Sequence, residues 1–531
     1  MQPILTSAQS RAFDSYLIEE IGINSLVLME NAARGTLNEI RDWLDEQGER
    51  CDIAIFCGPG NNGGDGMALA RLLLERGYLP TVFVCGEREK FSKETRSQYE
   101  TLARILDPEE LFQVESKENV TRDILMHAVR PNILVDALLG TGSSGEPRGS
   151  IEAGVRAIHI LSDPFYRTKV LAIDLPTGLH SDNGVYAKAK TVVRADRTVT
   201  MGAPKIGFYQ GISREYTGEI SIARLGAPYP KELFASEPAT YLISQSDVAP
   251  LIPPFPFNAS KHTRGRILIL CGSRGMTGAA IMSATAAMKS GAGWVTVAVP
   301  HSERAIVAQA RPELVTIGIA EQADGSPSPA AWNDIQHETE RCDAVLIGCG
   351  YQLVEETAEF VRKVVATVQK PIVIDGGAIR SIAGQLEILD SRKAPTILTP
   401  NSGELAALAG MERETVERKM IEVARGIAMK HGVTVIAKSA PEYIVAPDST
   451  CYINTTGGPG MGTAGTGDVL AGITATMLAH NPSSPANAAV AATYLCGLAG
   501  DIAAKEKTTH GMSATDIILK LPEAFKALAV Q

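Results

Sequence analysis

The stretch 457-GGPGMGTAGTGDVLAGI-473 carries seven glycines and runs directly into the apolar segment Val469-Leu470-Ala471-Gly472-Ile473. Without Cβ atoms, the backbone of such a loop can lie against a ligand, and it feeds the N-terminus of a buried helix. The first turn of that helix offers unpaired N–H groups and roughly half a positive charge. Phosphate is the usual guest. Asp468 falls in this turn, where it serves as an N-terminal charge or as a base. The residues alone also permit a plain glycine-rich turn with Asp468 as a cap. No Lys-Ser or Lys-Thr pair follows the glycines, so this is not a Walker loop.

Around this stretch the second half of the chain reads as short apolar strands separated by helical segments. Strands are predicted at Arg266–Cys271, Trp294–Val299, Ala344–Ile347, Pro371–Asp375, Pro395–Thr399, Val433–Lys438 and Tyr443–Val445. GSRGMTGAA follows the first of them and leads into a helix to about Gly291. The alternation predicts an α/β sandwich. The apolar run Ala486–Ala504 is interrupted by Asn487 and Asp501, which predicts a buried helix rather than a membrane span. Prolines thicken between Gly226 and Lys261, predicting a stiff junction between a domain over 1–229 and another over 230–531. No internal repeat relates the two halves.

In the first half, Thr6 or Ser7 can cap a helix to about Ile21, and Asn24 or Ser25 a second one through Leu44 to Gly48. The period then changes. Asp52–Cys57 is a strand, GPGNNGGDG (58–66) a loop, Met67–Arg76 a helix and Thr81–Cys85 a strand, a βαβ unit of nucleotide-binding type. A weak strand near Leu111–Val114 is followed by Ile133–Val135, which ends in Asp136, and by Val170–Ile173, which ends in Asp174. In a doubly wound sheet of order 3-2-1-4-5, strands one, four and five are neighbours at the switch point, so their three loops converge on one crevice. Asn62, Asp136 and the Thr177 hydroxyl are hard oxygen donors, suited to an alkali or alkaline-earth cation. Each carboxylate alone can equally be a strand-end residue bonding local backbone.

A chain of 531 residues exceeds one ordinary core, and 45% hydrophobic with 21% charged residues is the balance of a globular protein. The net charge of −10 and the lack of a basic run with aromatics argue against nucleic acid as a main partner. Eight cysteines show neither a CxxC pair nor metal-ligand spacing, and the N-terminus lacks a basic-then-apolar signal pattern, so the expectation is a reduced, cytoplasmic protein.

GPGNNGGDG, VDALLGTG and DLPTG, in this order and spacing, resemble the N-terminal domain of the NAD(P)H-hydrate repair enzymes, the NAD(P)HX epimerases. The resemblance implies a Rossmann-like sheet holding potassium through Asn62, Asp136 and Thr177. It implies substrate contacts from Asn61, Asn62, Gly63, Gly64 and Asp65, from Gly140, Thr141, Gly142, Ser143, Ser144, Gly145 and Glu146, and from Asp174. Asp174 is the candidate for proton chemistry, with Lys205 a second. KHTRGRILILCGSRGMTGAA, SGAGWVTVAVP, RPEL, ILTP and NTTGGPGMGTAGTGDVLAG resemble the ribokinase-like NAD(P)HX dehydratases. In that family phosphorylation of the added hydroxyl by ADP (ATP in eukaryotic members), with Mg²⁺, makes it a leaving group, and elimination restores NAD(P)H. The implied roles are Asp468 as catalytic base and substrate contact, with Gly467 and the neighbouring amides as the anion hole. Lys438, Ser439, Ala440, Pro441 and Glu442 would lie beside the nucleotide, and Ala279, Gly350 and Asn401 in the hydrate pocket.

The sequence departs from the common pattern at Asn401-Ser402 (a usual His-Pro), at Gly377 (a usual second aspartate), and at Gly458, Gly462 and Ala464. The resemblance implies NADHX and NADPHX as substrates, no nucleic acid or membrane partner, and self-association into a homo-oligomer. Two other readings stay open: a ribokinase-like small-molecule kinase with an accessory domain, and a non-catalytic Rossmann-like binding module in the first half.

Overall fold

Every residue of Ile53–Cys57 is buried, which a strand achieves only when helices cover both faces of its sheet. Side chains alternate accordingly. Ile53 and Ile55 join the core on one face, and Ala54 and Phe56 the core on the other. The computed structural model describes residues 1–48, 51–114, 131–143, 145–162, 167–185, 190–230, 238–252 and 254–529. It divides into two compact units, Pro3–Glu237 and Pro238–Gln531 with Met1–Gln2, each described by itself below.

In the N-terminal unit, β1 is Ile53–Cys57, β2 Pro80–Cys85, β3 Leu111–Val114, β4 Ile133–Ala137, β5 Lys169–Ile173, β6 Arg197–Met201 and β7 Glu219–Ala223. They form a seven-stranded sheet in the order β3-β2-β1-β4-β5-β6-β7, parallel throughout. The expected neighbours β1, β4 and β5 are adjacent, so the ends of these three strands do meet at the switch point. β6 and β7 are additions, because their polar-rich sequences, RTVTM and EISIA, lack the continuous apolar signature of the central strands.

Three local expectations change. The helix expected from Met67 begins at Asn61, so two thirds of the presumed loop is helical. Its glycines serve close packing: a Cβ on Gly63 would fall 1.8 Å from the Gly58 carbonyl oxygen, and one on Gly66 2.6 Å from the Ala137 Cβ. The second helix breaks at Ile40 (φ −106°, ψ 9°) into Ser25–Glu39 and Arg41–Gln47, which lets both Ile40 and Trp43 reach the core. The first runs Ser7–Ser15 under a Thr6–Gln9 capping box and continues as a π turn over Tyr16–Glu20.

In the C-terminal unit, β8 is Thr240–Leu242, β9 Arg266–Leu270, β10 Trp294–Pro300, β11 Val315–Ile319, β12 Ala344–Ile347, β13 Ile372–Ile374, β14 Thr396–Leu398, β15 Thr434–Ala437, β16 Glu442–Val445 and β17 Cys451–Asn454. Their order in one sheet is β8-β17-β16-β15-β14-β13-β12-β9-β10-β11. Pairing is parallel except where the hairpins β15–β16 and β16–β17 reverse the chain. Part of the proline-rich stretch belongs to this unit. β8 pairs with β17, and Ile243 and Val248 enter the core, because isolated prolines do not prevent short edge elements.

The opening stretch becomes a short 3₁₀ turn, Pro459–Met461, then the helix Thr466–His480, with Gly465 before it at φ +94°. Helix Pro485–Gly511 is long and apolar enough to cross a membrane by composition, yet 72% of its most apolar window is buried within the protein. The alanine-rich face packs on other helices of the unit. All eight cysteines are free and buried.

Candidate active sites

At the switch point of the N-terminal sheet, the penultimate residue of β4 is Asp136, with no exposed surface. Its Oδ2 accepts from the Thr177 N–H at 2.7 Å and its Oδ1 from the Thr177 hydroxyl at 2.7 Å, with the Leu138 N–H at 3.2 Å. Burial pushes the Asp136 carboxyl up to about 6, and these donors hold it down only in part. Asn62 donates to the Leu139 carbonyl at 2.9 Å, which leaves its own Oδ1 buried with no partner. An orphaned amide oxygen close to the loop of a buried carboxylate is a donor set that a hard cation would satisfy.

Asp174 follows β5 in a left-handed conformation, φ +66°, unusual for a residue other than glycine and typical of strained functional positions. Its Oδ1 accepts from Lys205 Nζ at 2.7 Å and its Oδ2 from the Thr141 N–H at 3.0 Å. Burial works against the charged form, but the Lys205 ammonium and these donors hold the carboxyl below the usual range. Lys205 is itself 1% exposed and donates further to Thr200 Oγ1 at 2.8 Å and the Met201 carbonyl at 2.9 Å. Asp65 is the opposite case. Burial, with Asp174 and Asp14 as like charges, pushes it well above the carboxylate range.

Asp174, Lys205, Asp65 and Asn62 line one cleft of about 580 Å³, which Asn61 and Gly140–Ser143 also border. Gly140 is squeezed between Asn62 and Asp174: a Cβ there would lie 3.2 Å from each. The buried Gly63 and Gly64 and the exposed Gly145 and Glu146 do not line this cleft, and Ser144 falls outside the described residues. Arg11, Asp14 and Glu94 also line the cleft. Arg11 and Asp14 lie on the first helix and Glu94 on the helix Lys93–Leu102, which was not predicted, and nothing in their spacing marks them.

In the C-terminal unit Asp468 is the third residue of its helix, yet no side chain caps that helix. The capping reading of Asp468 therefore has no bond to support it. The carboxylates of Asp468 and Asp375 and the Cys349 thiol have ligand atoms within 4.8 Å of one another. Asp375 ends the loop after β13 and accepts from Lys438 Nζ at 2.7 Å, Thr399 Oγ1 at 2.5 Å and Cys349 Sγ at 3.3 Å. The positive charge of this cluster is the Lys438 ammonium, which burial disfavours but Asp375 and Glu404 hold above the ordinary lysine range. A Cβ on Gly467 would lie 3.3 Å from Lys438 Nζ, so the ammonium faces the open first turn of the helix. Burial, then the Asp375 charge, pushes the Asp468 carboxyl up to about 6. The Thr466 hydroxyl in the same turn is buried without a partner, a donor that sequence reading missed.

Of the other expected residues, Gly350 (φ +72°) packs on Ala279: a Cβ would come 2.8 Å from the Ala279 Cβ. Ser439 bonds the Pro441 carbonyl across the cis Ala440–Pro441 bond. Glu442, pushed up to about 7 by burial, accepts from Asn454 at 3.3 Å. Asn401 is the N-cap of Ser402–Ala409, in a reciprocal capping box with Glu404. Gly377, where a second aspartate is usual, lies under Tyr351: a Cβ would come 2.5 Å from the Tyr351 carbonyl oxygen.

A Rossmann-type cleft with a buried carboxylate–lysine pair, and a glycine turn with a carboxylate beside a lysine, define a two-unit α/β nucleotide enzyme. The family models agree. Residues 25–207 match the YjeF-related protein N-terminus and residues 267–523 match NAD(P)H-hydrate dehydratase. The chain is 33% identical to the bifunctional NAD(P)H-hydrate repair enzyme Nnr of Moorella thermoacetica, covering 99% of this chain and 97% of that one. It is 33% identical to the Nnr of Salinibacter ruber, covering 98% and 95%. The ADP/ATP-dependent NAD(P)H-hydrate dehydratase from Bacillus subtilis, co-crystallized with ATP/Mg²⁺, is 26% identical, with a TM-score of 0.47, covering 54% of this chain and 98% of that one. The chain belongs to the family of bifunctional NAD(P)H-hydrate repair enzymes.

Proposed function

We propose that the N-terminal unit interconverts the R and S hydrates of NADH and NADPH, and that the C-terminal unit dehydrates the S form at the expense of ADP. Inversion at the hydrated ring carbon requires its hydroxyl to leave one face and a hydroxyl to return on the other. Asp65, kept protonated, supplies a proton to the departing oxygen. Asp174, kept ionised by Lys205, accepts one from the returning water. Two carboxyls whose surroundings drive their pKa values apart are suited to these opposite roles. Asn62, Asp136 and Thr177 would hold potassium, whose charge would neutralise the buried Asp136 carboxylate. The orphaned Asn62 Oδ1 supports that reading.

In the C-terminal unit Asp468 takes the proton of the added hydroxyl, and the freed oxygen attacks the terminal phosphorus of ADP. The P–O bond to AMP breaks. The ring C–O bond of the new phosphate ester then breaks, inorganic phosphate leaves with that oxygen, the adjacent ring carbon gives up a proton to solvent, and the double bond of NAD(P)H is restored. Lys438 and the amides of Gly467 and its neighbours stabilise the transferring phosphoryl group. ATP can serve as the donor by the same step. Mg²⁺ would accompany the nucleotide and would supply charge neutralisation at its phosphates. The eight free cysteines suit a reducing compartment such as the cytoplasm.

The observation that carries this reading is Asp468 in an uncapped first turn facing Lys438 across Gly467. Its test is direct. Pure R hydrate in potassium buffer should epimerise without nucleotide, and NAD(P)H absorbance should return only on adding ADP or ATP. Phosphorylation of a simple alcohol by ATP, with both hydrates left unchanged, would overturn it.

A further inference from the structure

Cys349 lies just past β12, and Cys271 just past the neighbouring strand β9, so the parallel pairing of Leu270 with Ile347 brings the two thiols to the same end of the sheet. That end is the active site of the C-terminal unit. Cys349 is 1% exposed, its Sγ lies 3.3 Å from Asp375 Oδ2, and its sulfur belongs to the cluster whose ligand atoms fall within 4.8 Å, Asp468 included. We infer that Cys349 is a positioning residue for dehydration, its S–H donating to Asp375 Oδ2 and so easing the repulsion that Asp375 exerts on Asp468, which keeps the base ionised and aimed at the hydrate.

The inference rests on the role of Asp468 proposed above. Two carboxylates this close repel, and each favours its neutral form unless donors intervene. Lys438 and Thr399 both donate to Asp375 Oδ1, which leaves Asp375 Oδ2 and the Asp468 carboxylate to be served from elsewhere. The groups bearing on Asp468 are Asp375, Lys438, Cys349 and Glu404, and of these only Lys438 and Cys349 favour its charged form. The thiol is suited to this because, buried beside the carboxylates, it stays protonated and is not a third anion. The thiol belongs to the hydrophobic core of this unit, yet its sulfur also reaches two carboxylates, which inert packing would not require.

The test is the pH profile of kcat/KM for the S hydrate, measured with ADP on the full chain. A base must be ionised to act, so activity falls on the acid side of its pKa. Wild type should lose activity as pH drops through about 6. Cys349→Ala should move that acid limb to higher pH by about one pH unit, the effect of losing one hydrogen bond to a charged group. Cys349→Ser, which keeps a donor at the same Cβ, should return the limb to the wild-type position. Cys271→Ala leaves the Cys349 S–H and its partner Asp375 in place and should leave the limb within a few tenths of wild type. An unmoved limb in Cys349→Ala, or equal shifts in the Ala and Ser variants, would overturn the positioning role. Where Cys349→Ala does not fold, Cys349→Val, close in size but without a donor, takes its place, and an unmoved limb there overturns the positioning role. Absence of ADP-dependent dehydration in wild type would instead overturn the reading on which the inference rests.

Discussion

Lys205 Nζ lies 2.7 Å from Asp174 Oδ1, and both side chains are almost fully buried, 2% and 9% exposed. A pair removed from water in this way is maintained by mutual neutralisation. Removing one partner leaves an unpaired charge in low dielectric, typically at a cost of about 3–5 kcal/mol.

Lys205→Met should therefore destabilise the chain by about 3 kcal/mol in denaturant unfolding and raise the Asp174 pKa. The sign follows from the direction of the wild-type shift. A depressed folded-state pKa contributes stability that is present above the unfolded carboxylate value and is lost as pH falls through the folded one. The variant should lack that acid-side loss, and its epimerisation should fall by about 10²-fold or more at neutral pH, since general acid–base groups carry that much. Epimerisation at the wild-type rate in the folded variant would return the pair to a structural role.

Asp136→Ala should weaken the potassium dependence of epimerisation and raise the KM for the R hydrate. Dehydration of the S hydrate should be unchanged, because the cation donors all lie in the N-terminal unit. Titrating activity with potassium chloride against choline chloride reads this directly. A wild-type potassium response in the variant would remove Asp136 from the cation site.

Asp468→Asn retains the size of the side chain and the Gly467 turn but removes the proton acceptor. Dehydration should fall by about 10²- to 10⁴-fold, with epimerisation unchanged and ADP affinity little altered. A cap would behave otherwise, since asparagine caps a helix as well as aspartate does. Measuring both rates on one preparation separates the two roles.

Asn401→Ala tests a conflict between two expectations. As the N-cap of Ser402–Ala409, bonded to the Glu404 N–H at 2.9 Å, Asn401 should give up about 1 kcal/mol on truncation. Glu404 is 4.0 Å from Lys438, so loss of the capping box should also perturb nucleotide affinity. If Asn401 instead only lines the hydrate pocket, stability should hold while the KM for the hydrate rises. Thermal unfolding with and without ADP distinguishes these outcomes.

The central strands were legible because strands buried on both faces are continuous apolar runs, as in Ile53–Cys57 and Ala344–Ile347. Strands toward the margin of the sheet were not. Thr240–Leu242 lies among prolines and Cys451–Asn454 is a short polar-ended run, and the two pair with each other across more than 200 positions of the chain. The start of the helix at Asn61 was hidden for a related reason. Glycines read locally as loop, and only the close approach of Gly58 and Ala137 explains why they wind into helix here.

The same division holds for chemistry. By itself the sequence determined the two α/β units, the order in which strands one, four and five meet, and the glycine turn carrying Asp468. These depend on residue type and spacing over a few neighbours, where hydrophobic period and glycine geometry act locally. Only the tertiary structure decided which residues perturb one another: Lys205 on Asp174, Lys438 on Asp375, and Cys349 between two carboxylates. Those partners are separated by 31, 63 and 26 positions, respectively. Charge coupling falls off with distance in space and grows with burial, and neither is written in the spacing of residues along the chain.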